Sequence, residues 1–315
     1  MTVALVANIA RPISSAISTA FAMDNYGKLN DYGKLGAWSP LSLFAASEVG
    51  VFYDPSDLST MFQDSAGTTS VTADGQSVGL ILDKSKGLVL GPELVTTAFI
   101  PYTGNGTVSE AGGITTATCT TNGVYGLRLD SNICVGGGAY ELTFEIVTNS
   151  AAKNINVYPN LTHSGIIIGA ATGNKSYVTV TPTASGSSAN LSFILVGGLV
   201  GESFSVRLVS MKVLSGNHGI QSTAAARPAY KITPSRIDYD AVDDVLNITF
   251  PSSLGSSCTV CRANVGGAPT ILTGQTIGTS YADSTDNAGL IIINRALTGQ
   301  ETTDVTAWLT AKGAT

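Results

Sequence analysis

The spacing of apolar residues changes rhythm along this chain, and each rhythm predicts a different kind of structure. Over residues 3–21, Leu5, Ile9, Ile13, Ile17 and Phe21 recur at every fourth position, a narrow stripe close to the helical period. It predicts an N-terminal helix, kinked or divided at Pro12, where a helix donor is missing. The sequence Tyr-Gly-Lys-Leu then occurs twice, at 26–29 and 32–35. Two copies are too few for a solenoid, and an irregular arm is expected as far as Pro40. From Phe52 onward, short apolar runs alternate with turn signals at Asp54–Asp57, Asp64–Gly67 and Ala73–Gly75. Val78–Leu82 predicts a buried strand, closed by the turn residues Asp83, Lys84 and Ser85.

Between residues 92 and 214 the texture differs. Tyr125–Leu129, Tyr140–Val147, Ile155–Tyr158, Gly165–Ile168, Tyr177–Val180, Leu191–Val196 and Ser203–Val213 read as strands separated by Gly, Asn and Ser. Tyr140, Leu142, Phe144 and Ile146 alternate cleanly onto one face. A series of short strands with turn-rich links and no helix predicts a two-sheet sandwich of jelly-roll type. After Gly216 the earlier style resumes, with strands expected at Val245–Phe250, Cys258–Ala263, Thr270–Thr273 and Gly289–Asn294. Thr298 and Glu301 form a capping box that opens a terminal helix, with Val305, Trp308 and Leu309 on one side.

Composition narrows the setting. Only 12% of the 315 residues are charged, and mean hydropathy is +0.25. Such a chain is expected to hide surface against neighbours. Sixteen Lys and Arg against 22 Asp and Glu leave a net charge of −6, which argues against nucleic acid as a partner. No apolar run is long enough for a spanning helix. The N-terminal stretch lacks a basic leader and is broken by Pro12, so it is not read as a signal peptide.

The residues able to carry chemistry are few. Cys258 and Cys261 form a lone CxxC with no second pair. Three apart on a strand they point to opposite faces, and with Cys119 and Cys134 they read as ordinary buried thiols. Asp238, Asp240, Asp243 and Asp244 make the one acidic cluster. It could serve turn chemistry, calcium binding or, least consistently with its place before a strand, glycan cleavage by paired carboxylates. His163 and His218 are the two histidines; neither sits beside a nucleophile motif. Tyr102, Tyr125, Tyr140, Tyr158 and Tyr177 are available as stacking platforms, and Tyr140 belongs to an inward face. No catalytic, cofactor-binding or metal site is assigned, and calcium at the acidic cluster is the candidate ion.

Several blocks together resemble a family of bacteriophage virion proteins with a laminin-G or concanavalin-like jelly roll. They are Asp54–Thr69, Val78–Ser85, Gly216–His218, Gln221–Pro228, Asp240–Asp244, Ile271–Ile277 and Ile291–Leu297. The resemblance covers about residues 45–86 and 216–312. In such proteins the turn after Asp-Lys-Ser runs almost directly into Gly-Asn-His, whereas here a long stretch separates Ser85 from Gly216. The resemblance therefore implies a laminin-G-like jelly roll at 46–90 plus 215–315, interrupted by a second sandwich at 91–214. That insert resembles carbohydrate-binding modules in overall texture. Residues 1–45 would be an arm for attachment or oligomerisation. The implied role is a non-enzymatic virion component, a capsid decoration, head fibre or tail fibre, without a cofactor. Its implied partners are other capsid or tail proteins and further copies of itself, as a trimer by analogy. The alternative is an adhesin whose insert binds host surface glycan.

Overall fold

The computed structural model describes residues 38–133, 138–158, 166–180 and 190–313. The expected helix over 3–21, the tandem repeat, Cys134 and His163 lie outside them. In chain order the strands are β1 (Gly50–Tyr53), β2 (Met61–Phe62), β3 (Leu80–Ile81), β4 (Leu90–Glu93), β5 (Phe99–Pro101), β6 (Gly106–Ala111), β7 (Ile114–Cys119), β8 (Gly123–Leu129), β9 (Ala139–Asn149), β10 (Ile155–Tyr158) and β11 (Ile166–Ile167). They continue with β12 (Gly173–Val180), β13 (Ser192–Gly198), β14 (Ser203–Leu214), β15 (Gly219–Ile220), β16 (Ala229–Ile232), β17 (Ser235–Asp238), β18 (Leu246–Thr249), β19 (Gly255–Arg262), β20 (Thr270–Ile277), β21 (Ser280–Asp283) and β22 (Leu290–Ile293), and end in α1 (Gly299–Gly313).

The chain is mainly β, with one sandwich set into another. The outer sandwich pairs a sheet in the order β1-β22-β19-β20 with a second in the order β2-β3-β15-β18-β21. Val51, Tyr53, Cys258, Val260, Leu290 and Ile292 meet Met61, Ile81, Leu246 and Ile248 in its core. Ile291 and Ile293, on the other face of β22, are equally buried. Phe52, beside them on β1, lies edge-on to Trp308 of α1, with ring centroids 5.4 Å apart. A strand covered on both faces has no polar side, which explains the unbroken apolar run Leu290–Ile293.

α1 is fixed at both ends. The expected capping box forms: Thr298 N–H donates to the Glu301 carboxylate at 2.7 Å, and Glu301 N–H donates to Thr298 Oγ1 at 3.2 Å. Arg295 also grips Glu301 with two guanidinium nitrogens, and these bonds hold the Glu301 carboxyl down at about 2. At the C-terminal turn, Lys312 Nζ reaches both Asp54 oxygens at 2.7 and 2.9 Å. Burial of Val305 and Leu309 contributes roughly 1.5–3 kcal/mol each.

The inserted sandwich uses β4 to β14. Its sheets run β11-β10-β13-β8-β5 and β12-β9-β14-β7-β6, with β4 also pairing β14. Its core includes Tyr125, Leu127, Leu142, Phe144, Phe193 and Phe204. The hairpin β6–β7 is absent from the sequence expectation because its inward residues, Gly106, Val108, Ala117 and Cys119, are small. On its outward face, hydroxyls of Thr116, Ser205 and Thr148 bridge three strands at 2.8 and 2.9 Å. Cross-strand pairs of this kind hold a sheet together without an apolar pattern.

The two sandwiches touch. Phe62, Leu80 and Leu82 of the outer one pack with Ala139 and Leu214 of the insert, with Leu88, Leu90 and Val178 alongside. At the tightest point Gly67 (φ +72°) lies so close that a Cβ would stand 2.2 Å from the Val178 carbonyl oxygen. β14 leads away from this contact, so the loop Leu199–Glu202 lies at its far end, roughly 40 Å along a twelve-residue strand.

Candidate functional site

Chain leaves the outer sandwich at Asp83–Ser85 and rejoins it at Gly216–His218, and these two points meet in a buried polar clasp. Asp83 is fully buried. Its Oδ1 accepts the N–H groups of Phe52 at 2.9 Å and Ser85 at 2.8 Å. Its Oδ2 accepts Ser85 Oγ–H and Asn217 N–H, both at 2.8 Å. Asn217 Nδ2 donates to the Gly50 carbonyl at 2.7 Å, and Tyr53 Oη donates to the Asn217 carbonyl at 2.6 Å. Burial pushes the Asp83 carboxyl up, and its four donors oppose that push. Gly216 (φ +146°) fits because a Cβ there would stand 3.0 Å from both Asp83 Cβ and the His218 ring.

His218 completes the clasp as a neutral imidazole. Its Nδ1 accepts the Asp83 N–H at 3.0 Å, so Nε2 carries the proton and donates to the Leu214 carbonyl at 3.2 Å. This is the structural hydrogen bonding that the sequence suggested for His218. Burial lowers its pKa below the ordinary 6.5, against the pull of the Asp83 carboxylate. The sign of the pH dependence follows. The folded state binds fewer protons than the unfolded chain, so stability is complete above about 6.5 and is lost as pH falls toward the depressed folded value. The loss is expected at up to about 1.4 kcal/mol per pH unit. Buried Asp83 and Asp283 are shifted upward and act in the opposite sense, so a variant must isolate the imidazole. Urea midpoints measured from pH 7.5 to 5 should fall less steeply in His218→Asn than in the wild type; parallel curves would remove His218 from this role.

The acidic cluster is only partly assembled. Asp240, Asp243 and Asp244 place carboxylate oxygens within 4.8 Å of one another. Asp238 is not one of the group; on β17 it pairs with Arg236 at 3.1 Å. Asp240 Oδ1 accepts the N–H groups of Val242, Asp243 and Asp244, and Asp244 Oδ2 accepts the Asp240 N–H. These bonds are turn chemistry, with Ala241 at φ +60° at the apex. They pull the Asp240 carboxyl down, while burial and the neighbouring carboxylates push Asp244 up.

Asp283 gathers a second buried polar group. Asp283 receives Arg262, Tyr239 Oη and Asn287 Nδ2. Cys258 and Cys261 are both buried free thiols; Cys258 faces the outer core, and burial pushes Cys261 up to about 12. Tyr125 and Tyr140 belong to the insert core, and the Tyr125 hydroxyl is buried with no partner among the described residues.

The outward face of the sheet β11-β10-β13-β8-β5 is built differently. Tyr125, Leu127 and Leu129 point into the core, so Gly126 and Arg128 point out. The register sets Tyr158, Ser192, Arg128 and Ile100 in one row across four strands, with Ile167, Asn156, Ile194 and Gly126 in the next. Ser192 and Ile194 are only 5% and 2% exposed although they lie on this outer face. Half-buried Tyr158, Arg128 and Ile100 flank them, and alternation along β5 puts half-buried Tyr102 on the same side. Exposed Ile167 and Val196 extend the face. Sequence reading passed over Arg128; its signal was a single charge inside the otherwise uncharged strand Gly123–Leu129.

No protein-family model matches this chain, and no curated protein matches it. Among solved structures, three variants of CBM29-2, a family 29 carbohydrate-binding module, align with part of it. The first has a TM-score of 0.29 at 11% identity, over 40% of this chain and 91% of its own. The second has 0.29 at 11% identity, over 40% and 92%, and the third 0.27 at 11%, over 40% and 92%.

Proposed function

We propose that this protein is a non-enzymatic structural component of a bacteriophage particle, a capsid decoration, head fibre or tail fibre. Residues 1–45 and the outer sandwich (46–90 plus 215–315) attach it to the particle, and the inserted sandwich (91–214) stands on that base. The family reading rests on the sequence blocks of the outer sandwich. The observation that carries the mechanical reading is the clasp at Asp83 and His218. It ties both ends of the insert to each other and to β1 through buried bonds, so that load on the insert passes into the base across two strands. A charged share of only 12% suits a chain that buries surface against other capsid or tail proteins and against copies of itself. The virion is its proposed location, and no reaction is assigned to it. Among the described residues no helix is long and apolar enough to cross a membrane.

Particles banded in a density gradient and analysed by mass spectrometry test the proposal. The chain is expected in the particle band at a fixed ratio to the shell or tail proteins. Its confinement to the soluble fraction would remove the reading.

A second reading, an adhesin whose insert binds host surface glycan, is favoured by one feature. The outer face of the β11-β10-β13-β8-β5 sheet carries Arg128 on β8, Tyr102 just past β5 and Tyr158 two strands from Arg128 on β10, with buried Ser192 between them.

A further inference from the structure

We infer that this sheet face binds an acidic saccharide whose anionic group, a carboxylate or a phosphate, pairs with Arg128. The inference deepens the adhesin reading and rests on it. Arg128 is the one charged residue in the five strands of this sheet. It is half-buried and has no ion pair or hydrogen bond among the described residues. By contrast, Arg207 is held by Glu145, Arg236 by Asp238, Arg262 by Asp283 and Arg295 by Glu48 and Glu301. Asp130, two residues along the chain, is exposed and forms no pair with it.

A half-buried guanidinium with free donors is suited to a flat or tetrahedral anion, which it can meet with two parallel N–H groups. Its surroundings suit a sugar ring. Ser192 lies directly across on β13 and Ile100 on β5, with Tyr158 one strand beyond Ser192. Gly126 lies on the same face as Arg128, and β13 pairs edge to edge beside it so closely that there is no room for a side chain. A Cβ at Gly126 would stand 2.1 Å from the Phe193 carbonyl oxygen. Half-buried Tyr158 and Tyr102 add aromatic side chains to the same side of the sheet, and half-buried Asn156 supplies an amide donor and acceptor. A neutral glycan would leave the guanidinium without a counter-charge, so the arrangement discriminates by charge as well as shape.

The test uses the full chain and three immobilised polymers: polygalacturonate, its fully methyl-esterified form, and a phosphomannan, with a panel of neutral glucans and mannans alongside. Binding to polygalacturonate or phosphomannan is expected, and which of the two is bound separates carboxylate from phosphate. Affinity should weaken with salt, and the methyl ester should bind about tenfold or more weakly than polygalacturonate if the carboxylate is the group read. Arg128→Gln should lose about tenfold or more while keeping the wild-type unfolding midpoint, because Arg128 holds no bond among the described residues. Arg128→Lys should recover part of that loss, and Tyr158→Ala should weaken binding without changing its salt dependence. Equal binding to neutral and acidic polymers, unaffected by Arg128→Gln, would overturn the anionic inference and leave the adhesin reading standing. Binding to none of the polymers would overturn both.

Discussion

Asp83→Ala is expected to cost about 3–5 kcal/mol of unfolding free energy. The carboxylate is fully buried and accepts four hydrogen bonds, three of them from backbone or side chain within β1 and its own turn, and one from Asn217. Alanine leaves the buried Phe52 and Ser85 N–H groups and the partly buried Asn217 N–H without an acceptor, and each orphaned donor carries a desolvation penalty that grows with its burial. The strands that lead into and out of the insert would lose their shared anchor. Asp83→Asn keeps the shape and one acceptor oxygen, so it should fall between wild type and alanine. Urea denaturation measures both. A loss below about 1 kcal/mol for the alanine variant would mean that water replaces the carboxylate and that the clasp holds little.

Gly67→Ala is the second large effect, expected at about 2–4 kcal/mol. Two costs add. At φ +72° any side chain is strained, by about 1 kcal/mol. The new Cβ would also meet the Val178 carbonyl oxygen at 2.2 Å, a backbone atom that moves only if β12 moves with it. Gly75→Ala separates the two costs, because Gly75 has φ +78° but nothing within 4 Å of its would-be Cβ. Calorimetry should show Gly67→Ala destabilised more than Gly75→Ala by about 1–3 kcal/mol, with small-angle scattering reporting a wider spacing of the two sandwiches. Equal effects of the two substitutions would show that the contact between the sandwiches yields without cost.

The same contacts explain what could be read from sequence. Leu290–Ile293 was legible because a strand buried on both faces has no polar positions to confuse it. Residues 140–147 were legible because alternation survives along most of β9. The capping box at Thr298 and Glu301 is a local signal and formed as expected. Val78–Leu82 shortened to the two-residue β3, since Val78 and Leu82 bond to Pro228 and Thr60 off the ladder. Thr270–Thr273 extended to Ile277 past a bulge opposite Cys258 and Val260, with Gly274 at φ +67°.

Sites were harder to read, because their partners are distant in the chain. The Asp83 turn looks like a solvated loop until Asn217 and His218 are placed against it, more than a hundred residues on. Asp238 looks like a member of the acidic cluster, yet its place on β17 turns it to Arg236, while turn bonds gather Asp240, Asp243 and Asp244. Arg128 looks like one polar position in a strand; what sets it apart is the absence of a partner among the described residues, which only packing reveals.

Electron cryo-microscopy of the intact particle tests the central claim most directly. The expected map places the outer sandwich against a capsid or tail protein, with the loop Leu199–Glu202 at the far end of β14 outermost. A particle whose density contains no copy of this chain, or one in which the insert lies against the shell with the outer sandwich free, would contradict the account.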